Sequence, residues 1–301
     1  MRMTGRELQN QFNRGENISS LLRTTSGLDH NSEESIEISY DLQAGSYIQN
    51  MTEVVYAENK KKYCQEIAHK IAQLDNPRTI LEAGVGEGTT LSGVIHGLNL
   101  NHSTAIYGFD ISWSRIAYAQ KWLKQEEVRN ISLCTGSLLD IPFRDDSIDV
   151  VYTAHTIEPN HGKEEQILKE LFRVTRNYLI LVEPAYELAS DAAKKRMEKY
   201  GYCRGLLDTC ELLGYHVTEH KLCEYNANPL NPAAITVIKK MSKKPEPTGY
   251  IFACPKYKTP LHKLGDLWFS PEALVAYPTV AGIPCLRIKN GIVASKLPEF
   301  I

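Results

Sequence analysis

The sequence predicts an α/β protein: a doubly wound, mostly parallel sheet followed by a small β-rich domain. Two observations carry this. From residue 79 to about 240, short apolar runs alternate with longer amphipathic segments, and parallel neighbours in a sheet need an intervening crossover, usually a helix. After a charged stretch with two prolines, "SKKPEPTG" at 242–249, the helical period fades and Pro and Gly punctuate short runs.

The elements follow in order. Residues 1 to about 38 are polar and predict short helices or a partly ordered arm, with "HNSEES" as a loop signal. "EVVYAENKKKYCQEIAHKIAQL" places Val55, Cys64, Ile67, Ala68, Ile71 and Leu74 at helical spacing, and "DNP" ends that helix. "TILEAG" reads as a strand and "TTLSGVIHGL" as a helix. "AIYGFDIS" is a strand, and "SRIAYAQKWLKQEE" a helix with Ile116, Ala119, Trp122 and Leu123 on one side. "ISLCTGS" and "IDVVYTAHTI" are strands, "KEEQILKELFRVT" a helix and "YLILVEP" a strand. "SDAAKKRMEKYG" and "RGLLDTCELLG" are helical, and "YHVTEHKLCEY" and "AITVIKKM" form a hairpin at one sheet edge across "NANPLNPA". The expected division is an N-terminal helical arm and cap over 1–75, the main domain over 76–241, a linker over 242–249 and a small domain over 250–301.

Composition narrows the function. With 301 residues, 43% of them hydrophobic, the chain can bury a sizeable core. A formal charge of −2 gives no global pull toward nucleic acid or an anionic membrane. No apolar stretch reaches the roughly 18 residues of a spanning helix, and the N-terminus lacks the apolar core of a secretory signal. Seven cysteines without a C-x-x-C pair fit free thiols in a reducing compartment, and Cys134 reads as a small hydrophobe. A cytoplasmic protein is expected.

"ILEAGVGEGTT", residues 80–90, carries the first functional signal. Alternating glycines after a strand let the backbone turn sharply and approach a ligand, and the next helix brings free N–H groups to the same place. A dinucleotide site wants G-x-G-x-x-G, whereas Gly84, Gly86 and Gly88 give G-x-G-x-G. Glu82 discriminates further: a carboxylate at the strand tip suits a cationic ligand and repels a pyrophosphate. S-adenosylmethionine carries both a sulfonium and an ammonium. Asp110, ending the next strand, is placed to accept ribose hydroxyls. Incidental glycines and a solvated acid are the bland alternatives.

"ILEAGVGEGTT", "IYGFDIS", "TGSLLDIPFRDDSIDVVYTAHTIE" and "LKELFRVTRNYLILVEP" together resemble a class I S-adenosylmethionine-dependent methyltransferase over roughly residues 40–240. The resemblance implies a Rossmann-like seven-stranded sheet, with the cofactor across the carboxyl ends of its first strands and S-adenosylhomocysteine as by-product. It assigns Glu82, Gly84, Gly86 and Gly88 to the methionine portion, Asp110 to the ribose, and Gly136, Ser137 and Leu138 to the adenine, with Ile111 also a cofactor-binding residue. Many members have an acid where Ser137 stands, so a serine there makes the weaker contact. "YDLQAGSYI", with Tyr40 and Tyr47, is similar to a segment that lays an aromatic over the cofactor; ordinary core packing is the alternative.

The family meets its acceptor after the fourth strand, here "TAHTIEPNHG". His155 and His161 are the candidate bases, since histidine titrates near neutral pH, and Glu158 would orient one of them or bind the acceptor. Each histidine could instead be a strand-end or loop residue. Glu183, ending the fifth strand, either binds substrate or anchors the following loop.

The tail segments "CPKYKTPL" and "AYPTVAGIPCLRI" resemble a small zinc-ribbon-type domain of methyltransferase activators. Cys254 is retained, but Tyr257 and Ser270 stand where that pattern has cysteines, so no metal is expected. The expected core is Leu261, Trp268, Tyr277 and Ile283, and the expected role packing, dimerisation or acceptor recognition.

The resulting expectation is an enzyme that transfers a methyl group to O or N of a small molecule, such as a sugar, nucleotide-sugar or natural-product intermediate. The alternatives are an RNA or protein methyltransferase of the translation apparatus and a non-catalytic cofactor-binding subunit. The expected partner is a small-molecule acceptor, with no nucleic acid or membrane and with homodimerisation open.

Overall fold

A computed structural model describes residues 3–74, 76–98, 100, 103–226, 228–240 and 249–301. The expected linker lies outside the described residues, apart from Gly249.

The polar N-terminal segment folds because its Ser, Thr and Asn residues start helices. Thr4, Asn17 and Ser32 accept backbone N–H bonds at the N-caps of α1 (Gly5–Asn13), α2 (Ile18–Ser26) and α3 (Glu33–Leu42). A short α4 (Ser46–Asn50) and the long α5 (Val54–Ala72) follow. Cys64, Ile67, Ala68 and Ile71 of α5 are buried as their spacing predicts, but Val55 is 71% exposed. The reason is length. The next helix, α6, begins at Thr89, opposite Lys60, so the first turn of α5 has no helix to cover it.

The main domain then alternates: β1 (Thr79–Ala83), α6 (Thr89–Gly97), β2 (Ala105–Asp110), α7 (Trp113–Gln125), β3 (Ile131–Thr135), β4 (Ile148–Ala154), α8 (Glu164–Val174), β5 (Thr175–Pro184), α9 (Asp191–Tyr200), α10 (Leu206–Leu212), β6 (His216–Leu222) and β7 (Ala233–Lys239). These strands form one seven-stranded sheet in the order β3-β2-β1-β4-β5-β7-β6. β1 to β5 pair in parallel, whereas β7 inserts antiparallel between β5 and β6. The predicted edge hairpin is present, with its second strand innermost.

Core residues divide by face. Ile80, Val85, Ile106 and Val150 pack with α5, α6 and α7. Leu81, Ala83, Phe109 and Val151 face the other way, toward α8 and α10. No described helix lies between β3 and β4, and that part of the second face is covered by the C-terminal segment. Phe143, within this crossover, meets Phe252 at a ring separation of 5.3 Å, and Phe252 meets Trp268 at 4.9 Å, both edge-on.

The C-terminal segment contains β8 (His262–Leu264), β9 (Leu267–Ser270), β10 (Val275–Tyr277), β11 (Thr279–Val280), β12 (Ile283–Pro284) and β13 (Ile292–Val293). β13-β10-β9-β8 form an antiparallel sheet and β11–β12 a two-stranded one. Leu261, Trp268 and Tyr277 are buried as expected, in the same cluster as Phe143. Ile283 departs from the expectation. It belongs to the core on the opposite face, because β12 packs on β3 and α7. Beside it, Cys285 bridges Thr135 in parallel, and the Leu286 N–H donates to the Thr135 carbonyl at 3.1 Å. The tail thus completes the core of the main domain and extends the sheet at its β3 edge.

All seven cysteines are free and buried. The Cys254 sulfur lies 3.6 Å from the Tyr277 hydroxyl, Ser270 is buried with its Oγ accepting from the Ala273 N–H at 3.1 Å, and Tyr257 is half exposed. Among the described residues no helix is long and apolar enough to cross a membrane.

Candidate active site

The carboxyl ends of β1, β2 and β4 converge on one cavity of about 760 Å³, within the usual range for a ligand site. Parallel register places Glu82 of β1 beside Tyr152 of β4, and the Tyr152 hydroxyl donates to Glu82 Oε2 at 2.9 Å. Burial pushes the Glu82 carboxyl up to about 8, although Tyr152 and the nearby Lys60 charge pull it back. Such a group favours a cationic ligand.

The glycine loop follows. Gly84 has φ +71°, and a Cβ there would lie 2.1 Å from Cγ2 of Thr156. The absent side chain lets the acceptor-side loop approach, and the Thr156 hydroxyl donates to the Gly84 carbonyl at 3.3 Å. Gly86, at φ +53°, turns its N–H onto Asp110 Oδ2 at 3.0 Å, while the Ser112 N–H donates to Oδ1 at 2.9 Å. Gly88 caps α6. Burial raises the Asp110 carboxyl, opposed by the Arg115 charge and these backbone donors. The Gly136 N–H donates to the Asp110 carbonyl at 2.9 Å, and Ser137 Oγ accepts from the Leu139 N–H at 3.1 Å. Ile111, Gly136, Ser137 and Leu138 all line the cavity. The expected cofactor residues are therefore together, except Gly88, which is absent from the cavity wall and instead packs toward α7, where a Cβ would meet Leu123 at 3.0 Å.

The N-terminal segment forms a lid. Glu87, buried inside the glycine loop, accepts the Gly45 and Ile48 N–H groups at 3.0 and 2.9 Å. Asp41 accepts from the Ser112 hydroxyl at 2.7 Å and from Ser114 N–H and Oγ at 3.1 and 3.0 Å. The Arg115 guanidinium lies 4.6 Å from the ring centres of both Tyr40 and Tyr47, and its Nε donates to the Tyr40 carbonyl at 3.0 Å. Its buried Nη2 has no hydrogen-bond partner. Tyr40 and Tyr47 both line the cavity, so neither is plain core.

On the acceptor side, His155 directly follows β4 with φ +56°. Its Nδ1 lies 2.6 Å from Glu158 Oε2, which also accepts from Asn231 Nδ2 at 3.1 Å. Burial opposes the imidazolium, but the Glu158 hydrogen bond and charge outweigh it and raise the His155 value. Glu158 is held below the usual carboxylate value by His155, against the cost of its own burial. His161 is not brought to this site. It is absent from the cavity wall, and its Nδ1 faces Glu164 Oε1 at 3.2 Å instead.

Glu183 anchors the loop. It accepts the N–H groups of Thr156, Ile157 and Glu158 at 2.9, 3.1 and 3.1 Å, and burial pushes it up to about 7. Lys60, whose Nζ donates to Thr90 Oγ1 at 2.6 Å, and Tyr63, whose ring lies 6.1 Å from His155, complete the wall from α5. Sequence reasoning missed Glu87, Arg115, Lys60 and Tyr63. The one available signal was Arg115, a lone cation on the helix face that carries Ile116 and Ala119.

Comparison with known proteins agrees with this geometry. Residues 74–245 match the methyltransferase domain family. The magnesium protoporphyrin IX methyltransferase of Synechocystis PCC 6803, solved with bound S-adenosylhomocysteine, is similar at 13% identity and a TM-score of 0.53, over 69% of this chain and 100% of that one. A chain from the complex of the Haloferax volcanii Trm112 methyltransferase activator is similar at 15% identity and a TM-score of 0.51, over 67% of this chain and 98% of that one. At these identities the likeness is one of fold. The family match spans more than half of the sequence, and the chain belongs to the S-adenosylmethionine-dependent methyltransferases.

Proposed function

We propose that this methyltransferase acts on an oxygen or nitrogen atom of a small molecule, of the class of a sugar, nucleotide-sugar or natural-product intermediate. The observation that carries the reading is the His155–Glu158 pair, 2.6 Å apart, in the cavity that also holds Glu82 and Asp110. Amide, amine and phenol groups of Asn59, Lys60, Tyr63 and Asn231 face the same space, and suit a compact acceptor rich in hydrogen-bonding groups.

The residues fit S-adenosylmethionine. Glu82 would hold its ammonium, the free Nη2 of Arg115 its carboxylate and Asp110 its ribose hydroxyls, each oxygen of Asp110 keeping lone-pair capacity beyond its backbone bond. When bound, that cofactor supplies an electrophilic methyl on sulfur, so the protein's main task is to position the acceptor, which can be worth about 7–11 kcal/mol. With Nδ1 tied to Glu158, His155 presents Nε2 to the acceptor. There it takes the proton from a hydroxyl as the oxygen attacks, and Glu158 stabilises the imidazolium formed. An amine acceptor would need desolvation and alignment more than a base.

The test is incubation of the purified protein with S-adenosylmethionine and a cell extract split into small-molecule and macromolecular fractions. Products heavier by one methylene are expected in the small-molecule fraction and lost with His155→Ala. Label found only in RNA or protein would overturn the reading.

A further inference from the structure

The tail reaches the lid through one buried cation. Arg287, 4% exposed, places Nη1 2.6 Å from Glu37 Oε1 and Nη2 3.4 Å from Glu33 Oε1. Its Nη1 also donates to the Ile111 carbonyl at 3.5 Å. Lys289 pairs with Glu37 as well. Glu33 and Glu37 stand four residues apart on α3, so they share one face. That helix also gives Ile36 and Tyr40 to the cavity wall, as Ile111 does from beneath.

Two further contacts fix the tail against the same wall. The Leu286 N–H holds the Thr135 carbonyl just before Gly136, and Trp113 Nε1 donates to the Val280 carbonyl at 3.4 Å. The C-terminal end of α3 is tied separately, by Asp41 to Ser112 and Ser114. The main domain therefore ties both ends of the lid helix, the second through Asn31, just before its N-cap. Asn31 Nδ2 donates to the Pro159 carbonyl at 3.0 Å, and the Asn31 carbonyl accepts from Lys163 Nζ at 2.9 Å. The tail holds the acidic face between these ends.

We propose that Arg287 is a positioning residue for the cofactor: it holds α3 closed over the cavity, making the tail part of the cofactor-binding apparatus. The inference rests on the cavity being the S-adenosylmethionine site. Loss of Glu37 leaves the buried guanidinium with only the longer Glu33 ion pair at 3.4 Å, and the lid gives up its closed arrangement to rehydrate it. Affinity then falls by the fraction of molecules still closed.

Glu37→Gln leaves the tail core untouched and is the cleaner variant; Arg287→Gln is the second. Calorimetry with S-adenosylhomocysteine should show Kd raised about tenfold in each, corresponding to roughly one molecule in ten closed. Methyl transfer by Glu37→Gln should show a raised KM for S-adenosylmethionine, with kcat at saturation within about twofold of the unmodified chain, since the lid is closed once the ligand is bound. The exchange Glu37→Arg with Arg287→Glu should recover part of the affinity. Unchanged Kd in Glu37→Gln, or lower kcat with unchanged KM, would overturn the proposal, the latter marking a merely structural contact. If Arg287→Gln fails to fold, Glu37→Gln decides. Failure of the unmodified chain to bind S-adenosylhomocysteine would instead refute the cofactor assignment.

Discussion

Nδ1 of His155 lies 2.6 Å from Oε2 of Glu158, at the end of the strand that also supplies Tyr152 to Glu82. The pair shares one cavity with Glu82. With His155 as the proposed base and Glu82 as the proposed cation-binding acid, the pair's charge balance gives a pH response. A general base must be deprotonated, so methyl transfer should fall as pH drops through the raised His155 value. That limb should lie above the ordinary histidine value of about 6.5. Glu158→Gln removes the raising influence and leaves the burial that lowers, so the limb should move to lower pH. His155→Ala should reduce the rate about 10²–10⁴-fold for a hydroxyl acceptor. A pH–rate profile of each variant checks both statements.

Glu82 should make cofactor binding release a proton. With its value near 8, the carboxyl is largely neutral at pH 7 in the free protein, and a cationic ligand favours the ionised form. Affinity should therefore rise with pH and level off above about 8, where the carboxylate is already ionised in the free protein. Calorimetry in buffers of different ionisation enthalpy measures the proton directly. Glu82→Gln should abolish the release and weaken binding. It should also stabilise the free protein at alkaline pH. A carboxyl whose folded value is raised costs stability as pH climbs from its unfolded value toward its folded one.

Gly84→Ala should damage the site and the fold together. The new Cβ would meet Thr156 at 2.1 Å with φ at +71°, and backbone strain alone costs of order 1–3 kcal/mol. Denaturant titration should show that loss, accompanied by loss of cofactor binding because Gly84 lines the cavity beside Glu82.

Phe252→Ala should destabilise the whole chain, by about 3–5 kcal/mol if the cavity does not collapse. Phe252 packs on Phe143 of the β3–β4 crossover, so unfolding should remain a single transition. A separate early transition of the tail would contradict the shared core.

Much of this was legible in the sequence, for identifiable reasons. Strand–helix alternation, the glycine loop, Glu82 and Asp110 are local patterns, and each occupies its expected place. The cap with Tyr40 and Tyr47 was legible by resemblance, but the contacts that hold it were not, because Asp41 to Ser112, Glu87 to Gly45 and Arg287 to Glu37 join residues far apart in the chain. Nor could spacing choose between the histidines. His155 and Glu158, like His161 and Glu164, stand three residues apart, and only the folded chain shows that the first pair lines the cavity. Ile283 looked like tail core because nothing in its neighbourhood shows that β12 lies on the edge of β3. The missing β3–β4 helix, likewise, explains the tail's position only once the sheet is assembled.

The most direct measurement is calorimetric titration of S-adenosylhomocysteine into the intact protein and into Asp110→Ala. One site per chain, lost or greatly weakened in the variant, is the predicted result. Absence of binding to the unmodified chain, or equal affinity in both proteins, would contradict the assignment of this cavity.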